Sequence, residues 1–290
     1  MRKLSIFFLS VAALSAAPAA ATPDRVEAPI IVEGERDTAV RNYVEALAAA
    51  SPGEKMARFE KPICPKSVGL SKDMNAEVED RIRRVAGAAG IAVAPGRCAG
   101  NVLMFVTADR PGFIRTLQRE RPQLFGLMTE GETRVLATQR GDAIAWQVFD
   151  QRGTDGRTLN NAGARDEGPA TLTGVTSSRL LPQTRTDLDV AIIVLEPSAF
   201  TGATVTQLAD YVAMRTLVQS AAPAVFTNGS APTILSLLED KRLQRPAAMS
   251  VTAYDLAYLK ALYGMSNALQ AVPQRAELMT RMKQNLAGRN

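Results

Sequence analysis

The most informative absence in this sequence is histidine, of which its 290 residues contain none. Without an imidazole the chain has no Ser-His-Asp or Cys-His nucleophile, no histidine-ligated zinc centre and no histidine proton shuttle. The glycine loop that cradles phosphates and the G-x-S-x-G turn around a nucleophilic serine are also missing. We therefore predict no catalytic residue, no metal ligand and no cofactor.

Aromatic residues are scarce as well, at 5% of the chain. The basic surplus that gives a formal net charge of +5 is spread along the sequence and is not clustered. Nucleic-acid binding needs clustered basic side chains, ideally beside aromatic platforms on which bases stack. We therefore expect no nucleic-acid partner.

Cysteine is limited to two residues, Cys64 and Cys98. In an oxidising compartment a minimal, even pair predicts one disulfide, whereas a metal site with two cysteines and no histidine is unusual. Closing a loop of about 35 residues stabilises a fold by roughly 3 to 4 kcal/mol in the chain-entropy model.

The N-terminus has the pattern of a secretory signal peptide over residues 1–21. Arg2 and Lys3 precede an apolar run at 4–14, and small residues at 19–21 form a cleavage pattern. The run is shorter than the roughly 20 residues that span a bilayer, which disfavours an uncleaved anchor. We expect a protein exported to the periplasm or beyond, without a transmembrane segment in the mature chain.

The rest of the chain is predicted to comprise an N-terminal extension with one helix (22–57) and a single α+β domain (58–290). Apolar spacing predicts helices at 73–90 and 207–218, a further helix opened by Pro273, and buried strands at 101–107 and 188–195. Residues 134–139 and 143–151 alternate in hydrophobicity and are predicted to form a hairpin around Arg140-Gly141-Asp142.

The segment 204–264 carries the only family-like pattern. A helix is followed by a loop, a short segment, and a second helix that starts at Met249-Ser250-Val251-Thr252-Ala253-Tyr254-Asp255 and ends at Leu262-Tyr263. This order resembles the matrixin-type zincin metallopeptidases, whose closing helix starts near L-[ST]-x-x-D and ends in L-Y. It is also similar to secreted bacterial proteins of unknown function with such features. The resemblance spans 58–264 and implies a zincin-like mixed sheet with a long helix packed on it and a helical C-terminal part.

The chain departs from that family at the metal site. Zincins present H-E-x-x-H on one helix, so that two imidazoles bind zinc and the glutamate activates water. Asp210, Tyr211 and Met214 stand at those three positions, and Ser220 stands at the third ligand position of the longer pattern. The resemblance therefore implies a degenerate, non-catalytic site. It further implies a groove near Tyr254 and Asp255 that holds an extended peptide, or an envelope protein, by adding it to a sheet edge.

Two alternatives remain open at the level of sequence. A histidine-free envelope hydrolase would pair carboxylates such as Glu239 or Asp240 with Asp255, roughly 5 to 10 Å apart. Asp255 also suits a structural role as the acid in the first turn of its helix. The second alternative is a purely structural envelope protein.

Overall fold

A four-stranded sheet lies at the centre of the computed structural model, which describes residues 33–48, 56–153, 156, 184–219, 231–266 and 271–288. The strands are β1 (Pro65–Val68), β2 (Val102–Val106), β3 (Ala143–Gly153) and β4 (Thr184–Leu195), in the spatial order β1-β2-β4-β3. The first three strands of that order run parallel, and β3 is antiparallel to β4 at the edge. Burial on both faces explains why β2 and the second half of β4, from Val190 to Leu195, are continuously apolar.

Helices cover both faces of the sheet, and the residues of β4 point alternately to each. Ala191, Ile193 and Leu195 face the larger core, while Ile192 and Val194 face the smaller one. The larger core is built with α1 (Glu33–Ala48), α2 (Lys72–Ala88), α5 (Val205–Leu217), α6 (Leu237–Arg242), α7 (Ala253–Gly264) and α8 (Ala271–Ala287). The smaller core is built with α3 (Arg110–Glu120) and α4 (Glu130–Thr138). The protein is therefore of the mixed α+β class, as predicted.

Side-chain caps set the start of the helices that matter most for the site. Thr204 and Gln207 form a reciprocal capping box at α5, and Thr252 and Asp255 form another at α7. Each box satisfies two backbone N–H groups that the first helical turn leaves without partners. The segment that resembles zincins is thus two well-capped helices with α6 between them.

The helix predicted for the N-terminal extension is α1. Val40, Tyr43, Val44 and Leu47 are its buried positions, at the predicted helical spacing. Contacts join α1 to α7 and α8, and residues from Glu33 onward form one compact unit. The predicted signal peptide lies outside the described residues.

One predicted element is wrong. Residues 134–139 are predicted to form the first strand of a hairpin, but 134–138 belong to helix α4 and Gln139 is its C-cap. A capping box between Thr129 and Glu132 starts this helix, and Thr133 and Ala137 then bury one face at the i, i+4 spacing of a helix. β3 is present as predicted, but its antiparallel partner is β4. Across the described ranges, no helix is both long and apolar enough to cross a membrane.

Candidate functional site

Helix α5, which carries the positions predicted to be a degenerate zinc site, is a core helix. Every residue from Gln207 to Leu217 is buried, including Tyr211 and the fully enclosed Met214. Burial raises the pKa of the Tyr211 hydroxyl. Tyr211 and Met214 therefore contribute to the packing of the core. Ser220, the fourth predicted position, lies outside the described residues.

Asp210 holds three elements together. Its carboxylate is fully buried and accepts two hydrogen bonds from the Arg81 guanidinium of α2, from Nε at 2.6 Å and from Nη2 at 2.7 Å. It also accepts the Val251 N–H, just before α7, at 2.8 Å. These hydrogen bonds raise the pKa of Arg81. The charge of the carboxylate predicted at a lost zinc position is therefore balanced by Arg81, and its oxygens are occupied by hydrogen bonds.

Asp255 is the acceptor at the centre of a second buried cluster. Its carboxylate has no exposed surface and accepts the hydroxyls of Tyr43 and Thr233, each at 2.5 Å. The N–H groups of Ile234 and Thr252 add hydrogen bonds of 2.9 and 2.8 Å. A carboxylate offers about four lone-pair sites. Four donors therefore fill the lone-pair sites of this carboxylate. They come from α1, from the turn that precedes α6, and from the start of α7.

The rings around this cluster fill the core. Tyr43 lies 6.1 Å from Tyr254 and 5.7 Å from Tyr258, measured between ring centroids. Burial raises the pKa of all three hydroxyls. The groove predicted near Tyr254 and Asp255 is therefore occupied by packed side chains.

The other acidic residues considered as catalytic partners have structural partners of their own. Asp240 accepts a hydrogen bond from Ser236 and pairs with Arg245 at 2.7 Å. Glu239 pairs with Arg242 at 2.5 Å on the exposed face of α6. None of these contacts joins either residue to Asp255. Among the described residues, no three acidic or cysteine side chains converge where they could hold a metal ion.

The predicted disulfide is present. Cys64, at the entry to β1, is bonded to Cys98, in the loop before β2, with 6.0 Å between their Cα atoms. The bond closes the β1-α2-β2 unit, whose strands also meet through the side chain of Asn101, which accepts the Cys64 N–H at 2.6 Å.

The two edges of the sheet differ in how their backbone groups are satisfied. At the β1 edge, Pro65 has no N–H, and the Ser67 N–H is donated to the carboxylate of Glu79 at 2.9 Å. A further strand would therefore find neither the N–H of residue 65 nor that of residue 67 available for hydrogen bonding. The β1 edge is therefore closed to strand addition.

The β3 edge is open. Glu196 N–H donates to the Asp142 carbonyl at 2.8 Å, at the start of the β3–β4 ladder. Since hydrogen-bonded pairs alternate along an antiparallel ladder, the even-numbered residues of β3 face β4. The backbone groups of the odd-numbered residues point away from β4. We name the outward-facing groups of the first five odd-numbered residues the open edge: Ala143, Ala145, Gln147, Phe149 and Gln151. The sixth, Gly153, is left out because its carbonyl accepts the Gly156 N–H at 2.8 Å.

The alternation is unbroken along the whole of β3. The single register shift in the ladder opposes Val148 to Val190 and Phe149 to Leu188, so the additional residue, Asp189, belongs to β4. Within the described ranges, no second strand pairs with the open edge, and no hydrogen bond to its backbone groups is present.

Exposed apolar side chains flank the open edge. Phe149, on the edge itself, is 42% exposed. On the opposite face, Leu127 is fully exposed, and the preceding Gly126 lies against Val148 of β3. A Cβ at Gly126 would lie 3.1 Å from the Val148 side chain, so glycine permits this close approach. The edge thus combines backbone hydrogen-bonding groups with apolar surface.

The sequence predicts strand β3 but not its place at the edge of the sheet. The position of a strand at the edge of a sheet depends on its pairing, which leaves no local signal in the sequence. Comparisons with protein-family models, with curated proteins and with solved structures return no match to this chain.

Proposed function

We propose that this chain is an exported, non-catalytic binding module with a degenerate zincin-like fold, which holds an extended polypeptide as an additional strand beside β3. The observation that carries the proposal is the open edge. It offers the backbone N–H and C=O groups of five alternate residues to an incoming chain. Strand addition uses such groups for affinity and the neighbouring side chains for specificity.

The order of elements supports the zincin-like part of the proposal. The central strand β4 leads into α5, and α6 and the closing helix α7 follow. Helix α2 packs beside α5, and Arg81 on α2 engages Asp210 on α5. In the resemblance, Asp210 replaces the first zinc-binding histidine. In this alignment, the Arg81–Asp210 ion pair, which links α2 to α5, takes the place of a zinc-binding residue.

The disulfide supports export, because such bonds persist in oxidising compartments and are rare in the cytosol. The engagement of Asp210, Asp240 and Asp255 disfavours the carboxylate hydrolase. Each of these carboxylates is already bound by donors that hold the fold together. A non-catalytic role is therefore the one that these contacts support best.

Selection of binders from a library of random ten-residue peptides tests the proposal, with an Ala145→Pro variant as the probe of the edge. The Ala145 N–H points away from β4, so proline removes an outward donor while the β3–β4 ladder remains, as proline at sheet edges does. Ala145→Ser is the matched control, because it keeps the N–H and a small side chain.

We expect peptides selected on the wild type to bind Ala145→Ser equally and Ala145→Pro about fivefold more weakly, since one hydrogen bond contributes about 1 kcal/mol and tenfold in affinity corresponds to about 1.4 kcal/mol. Methylation of alternate peptide amides on the bonding edge would abolish binding, and methylation on the other edge would not. This arm decides the question even if Ala145→Pro fails to fold. Equal binding to Ala145→Pro and to the bonding-edge methylated peptide would refute the proposal.

A further inference from the structure

We propose that, without a bound peptide, the open edge of β3 pairs with the open edge of a second copy of this chain, antiparallel and about a two-fold axis at Gln147. The inference rests on the proposed function, because this pairing would mask the same edge that takes the peptide. The resulting dimer would carry one continuous sheet across both molecules.

The need for a partner follows from the edge itself. Long open edges promote association, and proteins protect them with proline, lysine, bulges or covering segments. β1 has such protection through Pro65 and Glu79. β3 is eleven residues long and contains no proline, no lysine and no bulge of its own. A second copy of the chain would cover these unpaired backbone groups.

The sequence of β3 is complementary to itself in this register. Odd-numbered residues must face odd-numbered residues, because only their backbone groups point outward. With the axis at Gln147, the large, exposed Phe149 lies opposite the small Ala145 of the other copy. On the opposite face, Trp146 lies opposite Val148. Cross-strand pairs of this kind stabilise sheets.

Charge supports the same register. Asp142 lies opposite Arg152 of the other copy when the axis passes through Gln147, and it would add a third carboxylate to a guanidinium that pairs with Asp150 and Asp187 of its own chain. Moving the axis by one residue to Trp146 instead places Asp142 opposite Asp150 and Arg140 opposite Arg152. Like charges directly opposite each other destabilise strand pairing.

Overlap decides against an axis at Ala145, which leaves only residues 143–147 of each strand paired within β3. An axis at Val148 would pair the whole of β3, but it places two apolar side chains opposite charged ones, Trp146 opposite Asp150 and Ile144 opposite Arg152. With the axis at Gln147, residues 143–151 pair throughout, and Ile144 opposite Asp150 is the only mismatch between apolar and charged side chains.

A cysteine at the axis provides a direct test. Cys64 and Cys98 are bonded to each other, so Gln147→Cys carries the only free thiol. In a hydrogen-bonded antiparallel pair the two Cα atoms lie about 5.5 Å apart, within the range of a disulfide. Gln151→Cys is the matched control on the same edge. Its two copies would lie eight strand positions apart, or about 27 Å.

We expect mild oxidation to cross-link Gln147→Cys as a dimer and to leave Gln151→Cys monomeric on a non-reducing gel. Light scattering of the wild type should give twice the chain mass, falling to one chain mass on dilution. A monomer at all accessible concentrations, or equal cross-linking of both cysteine variants, would overturn the inference.

The competition between peptide and second copy separates this inference from the proposed function. Peptides selected from the library should reduce cross-linking of Gln147→Cys. If peptides bind a protein that never dimerises, the dimer is refuted and the binding function stands. If the dimer forms in the expected register but no peptide binds, the inference stands and the peptide-binding function is refuted.

Discussion

Replacing Asp255 by alanine separates the structural role assigned to this residue from the catalytic role that its sequence context allowed. The buried carboxylate accepts hydrogen bonds from Tyr43, Thr233, Ile234 and Thr252. Alanine leaves all four donors in the interior without this acceptor. A structural role therefore predicts a large loss of stability, whereas a catalytic role predicts little change.

The size of the loss follows from the contacts. Each buried donor left without a partner costs about 1 to 3 kcal/mol, and loss of the helix cap costs about 1 kcal/mol. Water and rotated hydroxyls would offset part of this sum. We expect Asp255→Ala to lower the free energy of unfolding by about 3 to 5 kcal/mol, the range for breaking a buried charged interaction.

Urea unfolding followed by circular dichroism measures this loss. With a slope near 3 kcal/mol per M, the unfolding midpoint should fall by about 1 to 2 M. Glu239→Ala, which breaks an exposed ion pair, is the control, and we expect it to change stability by less than about 0.5 kcal/mol. Tyr43→Phe should lower the free energy of unfolding by about 1 kcal/mol in the wild type, and by almost nothing in a protein that already carries Asp255→Ala. A folded Asp255→Ala variant within about 1 kcal/mol of the wild type would refute the assigned role.

Three further predictions concern stability. Arg81→Ala should destabilise the protein more than Asp210→Ala in urea unfolding. Arg81→Ala leaves a fully buried carboxylate without a positive charge beside it, whereas after Asp210→Ala the Arg81 guanidinium, which is 27% exposed, can turn to water. The reverse order of the two losses would contradict this interpretation. Burial raises the pKa of all five tyrosines above their ordinary value near 10, so the stability they contribute below pH 10 is lost as the pH rises above it. Absorbance at 295 nm should show no tyrosinate until the far-ultraviolet circular dichroism is lost, and tyrosines that titrate near pH 10 in the folded protein would count against it. Replacing Cys64 and Cys98 together by alanine should cost about 3 to 4 kcal/mol of unfolding free energy, and an unchanged urea midpoint would disprove that contribution.

The elements with strong periodicity could be predicted from the sequence. Helix α2 and strands β2 and β4 have apolar patterns long enough to decide between helix and strand. Helix α4 could not be predicted in this way. It is nine residues long, and the exposed Val135 together with the buried Ala137 two positions later imitates the alternation of a strand.

The contacts that define the site could not be predicted. Asp210 and Arg81 are separated by 129 residues, and Asp255 and Tyr43 by 212. The local signal at Asp210 predicts another role, that of a lost zinc position. The local signal at Asp255 predicts its place in the first turn of α7, which the structure confirms, but not its hydrogen bonds with Tyr43 and Thr233. The partner that settles the role comes from tertiary packing, which local patterns do not encode.

The exchange of individual backbone amides in β3 tests the central claim most directly. In dilute protein without peptide, the N–H groups of Ala145 and Gln147 should exchange rapidly with solvent, while those of Ile144 and Trp146, bonded to β4, should be protected. A peptide selected from the library should slow exchange at Ala145 and Gln147 and leave the even-numbered residues as they were. Peptide binding that leaves exchange at Ala145 and Gln147 unchanged would contradict strand addition at this edge.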